Sequence, residues 1–259
     1  MDLLFEPSTW AILAGIGLLA GFIDAIAGGG GLLSIPALLT LGINPHTALG
    51  TNKLAACFGS STAAYTYYKQ NLFTPHLWYY TFIATFFGAV AGTFIVSLID
   101  SRWLEKLLPL MIMIIAIYTL LKPNAMGCNT FTPLKQPASK IKQWLQGFPL
   151  GFYDGFAGPG TGAFWTITST TYHKLPLLHS CGLARTMTFT SNLTSLVIFI
   201  TLGQVNVIIG LFMGLCMMLG SFIGAKTAIK FGVQFIRPAF ITLVLLIAAK
   251  LAWNAWVSR

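Results

Sequence analysis

Long apolar runs with almost no charge constrain this chain more than any other feature. Of its 259 residues, 56% are hydrophobic and a further 26 are glycine, whereas only 8% are Asp, Glu, Lys or Arg. A soluble domain carries about 25% charged residues, which keep its surface hydrated. The sequence therefore predicts an all-α integral membrane protein, and it disfavours a soluble enzyme, a disordered chain or a disulfide scaffold.

The apolar runs predict ten helices in two groups. A transmembrane helix needs about 20 apolar residues, because each residue rises 1.5 Å through about 30 Å of hydrocarbon. The predicted helices are 10–27, 31–41, 47–69, 76–99, 103–121, 142–157, 162–172, 178–202, 205–230 and 235–256. Residues 1–121 form a first membrane repeat, 122–141 a polar linker rich in Pro and Lys, and 142–259 a second repeat.

The repeats are inferred from motifs that recur in the same order. A duplication explains such a series better than chance does. The matches are residues 21–30 with 151–160 at an offset of 130, Gly88 and Gly92 with Gly220 and Gly224 at 132, and 51–53 with 185–187 at 134.

Each repeat opens with a segment that glycine interrupts. Residues 10–41 would form a straight helix of about 48 Å, which is too long for one crossing. The glycine-rich stretches at 28–31 and 158–162 cannot hold a stable helix. We expect a break that faces a watery cavity in each half, and a mere kink for close packing is the alternative.

The basic loop residues indicate the orientation in the membrane. If the opening segments cross fully, these residues fall on both faces. If each segment dips in and returns, the second half is inverted and most of the loop lysines and arginines share one face, as the positive-inside rule requires. The inverted arrangement is predicted, with both termini outside the cytoplasm, and the formal charge of +9 then reflects orientation rather than nucleic-acid binding.

Asp24 and Asp154 are the acids that lie well inside apolar sequence, each four residues before its glycine stretch. A carboxylate inside a membrane is costly unless it is paired or neutralised, so a function is the default interpretation. We expect the two residues to shape a transport site or to carry protons. The alternative is that each accepts hydrogen bonds from backbone N–H groups that the break leaves free.

The helices that begin after the two breaks would point their N-termini into the membrane, where they attract an anion. Lys53 and Arg185 could add full charges, unless both extend to the interface instead. Neutral polar residues could bind the anion or merely connect helices. The candidate substrate-binding residues are Gly28, Gly29, Gly30, Gly31, Thr51, Asn52, Lys53, Gly158, Gly160, Thr161, Gly162, Arg185, Thr186, Ser191 and Asn192.

The sequence shows no pattern typical of an enzyme. It has no H-E-x-x-H motif, no Ser/His/Asp spacing and no cysteine cluster, so we expect no catalytic residue, metal or cofactor. Gly88 and Gly92 lie in the predicted helix 76–99, and Gly220 and Gly224 in 205–230. These pairs of glycines spaced by four predict that the two helices cross closely, at the pseudo-symmetry axis. The expected partners are lipid and a small anion, a homodimer is a candidate assembly, and nucleic acid is not expected.

The motifs at 21–31, 50–54, 151–160 and 190–192 resemble the TauE/SafE sulfite exporter family over nearly the whole chain. The resemblance implies a secondary transporter of the bacterial inner membrane, with about eight spans built from a duplicated four-segment unit. It implies export of small anions such as sulfite or sulfonates by alternating access, with proton coupling as a further expectation. An anion channel and a transporter of non-sulfur organic anions are the alternatives. The second half departs from the pattern, because Met187 stands where a lysine matching Lys53 is expected.

Overall fold

The computed structural model describes residues 7–121 and 138–231, and this part of the chain is entirely helical apart from turns and loops. The predicted helix at 235–256 and most of the linker lie outside the described residues. The helices are α1 (Pro7–Ala27), α2 (Gly31–Thr40), α3 (Pro45–Lys69), a 3-10 helix (Pro75–Trp78), α4 (Tyr79–Ser97), α5 (Ser101–Leu121), α6 (Lys140–Phe156), α7 (Thr161–Tyr172), α8 (Leu177–Thr201) and α9 (Val207–Phe231).

Among the described residues, three helical segments are long and apolar enough to cross a membrane on their own: α1, the 3-10 helix with α4, and α9. Helices α3 and α8 have 25 residues each, or about 37 Å, which is also a spanning length. They are less apolar because Ser, Thr and one cation each lie on their buried faces. These two helices form the polar centre of the bundle.

The predicted helix breaks are present in both halves. Helix α1 stops at Ala27 before α2 begins, and α6 stops at Phe156 before α7 begins. Gly28 and Gly158 have φ angles of 78° and 88°, which favour glycine over any residue with a Cβ. The interruptions are stretches of non-helical backbone, so the kink alternative is wrong.

Helices α6 and α7 run back against each other. The Gln146 side chain in α6 donates to the hydroxyls of Thr168 and Ser169, near the end of α7, at 2.8 and 2.9 Å. Lys142 at the start of α6 lies over the Tyr172 ring at the end of α7. This segment therefore enters the bundle and returns on the same side.

The spaced glycines are packing residues, as predicted, but their partners differ from the prediction. Helix α4 packs along α6 and α9 packs along α1, rather than α4 against α9. A Cβ on Gly92 would lie 2.0 Å from the carbonyl oxygen of Phe152, and one on Gly220 would lie 2.0 Å from that of Leu18. Helix α4 thus covers α6, which opens the second half, and α9 covers α1, which opens the first; the motif itself does not encode these partners.

The positions of α3 and α8 give a different register from the motif match. The two helices have equal length and begin at residues 45 and 177, 132 positions apart, so Lys53 and Arg185 are each the ninth residue of their helix. Counted from the helix starts, Arg185 rather than Met187 stands at the position of Lys53. The spacing between helix starts is two residues longer from α7 to α8 than from α2 to α3, which changes the offset from 130 to 132.

Candidate functional site

Two buried ion pairs connect the halves at the level of the helix breaks. Lys53 Nζ lies 2.8 Å from Asp154 Oδ1, and Arg185 Nη1 lies 3.2 Å from Asp24 Oδ2. Each pair joins a cation of one half to an acid of the other. Lys53 is 1% exposed and Arg185 is fully buried, so neither extends to the interface. Isolated charges at such depth would be expensive, and pairing lowers this cost.

The Lys53–Asp154 pair has all of its hydrogen-bonding groups occupied. Lys53 Nζ donates to Asp154 Oδ1 at 2.8 Å, to the Asp154 carbonyl oxygen at 2.5 Å and to Asn192 Oδ1 at 3.0 Å. These acceptors match the three N–H groups of an ammonium. The Ser191 hydroxyl donates to the second carboxylate oxygen of Asp154.

The hydrogen bonding of the Arg185–Asp24 pair is less complete. Arg185 Nη1 contacts the carboxylate and the backbone oxygen of Asp24, whereas Arg185 Nε and Nη2 are buried and have no hydrogen-bond partner within 7–121 and 138–231. Asp24 Oδ1 accepts a hydrogen bond from the Gly30 N–H at 3.1 Å, which is the contact with the break that the alternative interpretation describes. The Asp24 side chain is 20% exposed, compared with 4% for Asp154.

A polar cavity of about 30 Å³ lies between the two breaks. That volume accommodates one or two water molecules. The space between the breaks in this structure is therefore water-sized. The predicted site residues that line the cavity are Asp24, Gly28, Gly30, Gly31, Asn52, Lys53, Asp154, Gly158, Thr161, Gly162 and Asn192.

Six predicted site residues do not line this cavity: Gly29, Thr51, Gly160, Arg185, Thr186 and Ser191. Arg185 and Ser191 act on it through the two carboxylates. Thr51 accepts a hydrogen bond from the Asn206 N–H at 2.9 Å, and Thr186 donates to the Gly182 carbonyl within its own helix. Thr51 therefore has the helix-connecting role that was the alternative, because it joins α3 to the residue before α9, whereas the hydrogen bond of Thr186 stays within α8.

Sequence reasoning missed three lining residues, namely Ala56, Thr188 and Met217. Ala56 and Thr188 each lie three residues after a buried cation, on the same helical face. The sequence could have revealed these two residues through that spacing, but only once α3 and α8 are aligned as they are in the structure. Ser34 was also missed, and its hydroxyl donates to the side-chain oxygen of Asn52.

A second polar cluster lies away from the breaks, where α6 meets the end of α7. His173 Nε2 is 2.8 Å from Gln146 Oε1. Burial, with a smaller contribution from the charge of Lys142, lowers the pKa of His173 to about 4. This histidine directly follows Tyr172, the last residue of α7.

The described residues contain no group of three or more His, Cys, Asp or Glu side chains that could hold a metal ion. Of the four cysteines, Cys57 and Cys181 are buried free thiols, Cys216 is a partly buried free thiol, and Cys128 lies outside the described ranges.

The chain is similar to proteins from several bacteria. The family model described as "Sulfite exporter TauE/SafE" matches residues 13–251. A Haemophilus influenzae protein named "Probable membrane transporter protein" is 37% identical over 94% of both chains. The Escherichia coli "Probable membrane transporter protein YfcA" is 32% identical over 96% of this chain and 92% of its own length. The Bacillus subtilis protein YunE is 26% identical over 76% of this chain and 81% of its own. No solved structure gives a significant match.

Proposed function

Because the chain belongs to the TauE/SafE sulfite exporter family, we propose that it is a secondary transporter that moves small anions out of the bacterial cell. The proposed substrates are sulfur oxyanions such as sulfite or sulfonates, following the family's description. The proposed location is the inner membrane. The similar proteins from Haemophilus influenzae and Escherichia coli carry names of membrane transporters, which supports transport over catalysis.

The observation that carries this proposal is that the buried cation of each half pairs with the acid of the other half. Lys53 and Arg185 occupy equivalent positions of α3 and α8, and each binds the acid that precedes the other half's helix break. An inverted duplication would produce such an arrangement. In alternating access, a movement of one half against the other must strain these pairs or break at least one of them, so an ion pair that ligand binding opens would act as a gate.

An anion must compete with a carboxylate to enter this site. The four charged groups sum to zero, so the cations are already neutralised when the site is empty. The N-termini of α2 and α7 reach the cavity and contribute positive partial charge. A proton on one carboxylate would free its cation for the anion, and we therefore propose that transport is coupled to protons.

Solute counterflow in proteoliposomes tests this proposal. Vesicles loaded with unlabelled sulfite should accumulate external labelled sulfite transiently above its equilibrium level, because a carrier exchanges one anion for another. Parallel assays with methanesulfonate and acetate define the substrate class. Lys53→Gln should abolish counterflow, whereas Lys69→Gln, on the exposed end of the same helix, should preserve it.

Two outcomes contradict the carrier proposal. Passive flux without counterflow would indicate a channel, and absence of flux for every anion tested would reject anion transport. If acetate shows counterflow and neither sulfur anion does, the substrates are organic carboxylates rather than sulfur oxyanions.

A further inference from the structure

We propose that only one of the two ion pairs opens during transport. The anion binds the Nε and Nη2 edge of Arg185, Asp24 takes up one proton, and the Lys53–Asp154 pair stays closed. This inference rests on the proposed function, since it assigns the anion and the proton to one half of the proposed site.

The free edge of Arg185 has the geometry of an oxyanion receptor. Nε and Nη2 lie on the same side of the planar guanidinium, and their parallel N–H groups match two oxygens of one sulfonate, sulfite or carboxylate. Both nitrogens are buried without a hydrogen-bond partner, while Nη1 already binds Asp24. A buried donor pair without an acceptor is costly, so an oxyanion that supplies two acceptors gains most at this edge.

Two glycines cover this edge. A Cβ on Gly162 would lie 2.1 Å from Arg185 Nη2, and one on Gly28 would lie 2.5 Å from the same atom. Both glycines also line the cavity between the breaks. The breaks touch each other here, because a Cβ on Gly28 would lie 2.2 Å from the carbonyl carbon of Gly162. Separation of the two breaks would therefore connect the cavity to the free edge of the guanidinium.

The Lys53–Asp154 pair offers no comparable set of free donors for an anion. The three N–H groups of Lys53 all have acceptors, and both carboxylate oxygens of Asp154 accept hydrogen bonds, one of them from Ser191. The Asp154 side chain is 4% exposed, so water has little access to it. Opening this pair would break several charged hydrogen bonds with no vacant donor to compensate. We assign it a fixed role, as the bridge that orients α3 against α6.

Proton and anion bind together in this scheme. The empty site holds a guanidinium and a carboxylate, whereas the loaded site holds a guanidinium, the anion and a neutral Asp24. The site therefore has no net charge in either state when the anion is monovalent, which limits the electrostatic cost of movement through the membrane. Proton and anion leave the cell together, so accumulated anion drives its own export.

The titratable surroundings of Asp24 are few. Arg185 of α8 contacts it directly, and Lys53 and Asp154 lie across the cavity. Two further groups contact the α1 backbone just after Asp24: Tyr67 of α3 donates to the Ala25 carbonyl, and the Cys181 thiol of α8 donates to the Ile26 carbonyl. Helix α9, which packs along α1, brings Cys216 against the α1 backbone about two turns away. Helix α2 has no titratable residue, and Tyr172 of α7 lies at its far end. Asp24 is the acid in contact with the guanidinium.

Calorimetry of the detergent-solubilised protein, in buffers with different ionisation enthalpies, counts the protons taken up on binding. The probes are methanesulfonate, thiosulfate and acetate. The wild type should take up one proton per anion, and its affinity should fall about tenfold per pH unit where Asp24 is ionised. Asp24→Asn should still bind, with less than a twofold change between pH 6 and pH 8 and no proton uptake.

Variants of the other groups distinguish the two pairs. Ser191→Ala should retain uptake of one proton, and Asp154→Asn should do so if it folds, because that pair stays closed. Arg185→Lys keeps the charge but loses the planar edge, so its affinity should fall about tenfold or more. Proton uptake by Asp24→Asn, or its loss in Ser191→Ala, would overturn the assignment. Failure of the wild type to bind any probe would instead count against the proposed function.

Discussion

At the scale of single residues, the glycines at the helix breaks decide whether the site can form. Gly28 and Gly162 bring two backbones and a guanidinium to within van der Waals contact, and no side chain fits between them. In the sequence, these two residues are recognisable only as members of glycine-rich stretches that break helices. Their contact across the two halves, and with Arg185, depends on tertiary packing that composition alone does not reveal.

Gly162→Ala should therefore destabilise the protein and stop transport. Its Cβ would lie 2.1 Å from Arg185 Nη2, and such overpacking costs about 1–3 kcal/mol. The matched control is Gly15→Ala in α1, whose Cβ would meet nothing within 4 Å. Thermal unfolding in detergent checks the pair. Equal melting temperatures for the two variants would contradict the tight contact.

The lowered pKa of His173 predicts that the folded protein loses stability in acid. Its pKa in the fold is about 4, below the ordinary value of 6.5. The unfolded state thus binds the proton more readily, and the stabilising contribution present above pH 6.5 is lost as the pH falls toward 4. His173→Gln should flatten the melting temperature over this range, whereas His76→Gln on the 3-10 helix should not. An unchanged acid profile in His173→Gln would contradict the assignment.

At the scale of helices, the glycine-lined contacts of α4 with α6 and of α9 with α1 hold the halves together. The helix bounds and both breaks were predictable, because hydrophobic runs and glycine stretches are local signals. The packing partners and the α3–α8 register were not, because close-packing glycines do not specify a partner and two additional residues between the starts of α7 and α8 shift the alignment.

Gly220→Val should disrupt the contact between α9 and α1. Its Cβ would lie 2.0 Å from the Leu18 carbonyl oxygen, so the helices would have to separate. Leu219→Val is the neighbouring control, since Leu219 is 56% exposed on the outer side of α9. We expect lower expression and a lower melting temperature for Gly220→Val alone. Wild-type behaviour of this variant would exclude the close crossing.

At the scale of the whole molecule, one end of the bundle collects basic residues. Lys140 lies over the Tyr80 ring at the start of α4, and Lys142 over the Tyr172 ring at the end of α7. By the positive-inside rule, we propose that this end is cytoplasmic. Fusions of alkaline phosphatase to either terminus should be active, and fusions of a cytoplasmic fluorescent protein should be dark. The reverse pattern would refute the proposed topology.

Anion accumulation driven by a pH gradient tests the central claim most directly. Proteoliposomes with an alkaline interior and an acidic exterior should accumulate external labelled methanesulfonate or sulfite, because Asp24 carries a proton in the same direction as the anion on Arg185. Asp24→Asn should retain anion exchange but lose accumulation. Accumulation independent of the pH gradient, or retained in Asp24→Asn, would contradict the account.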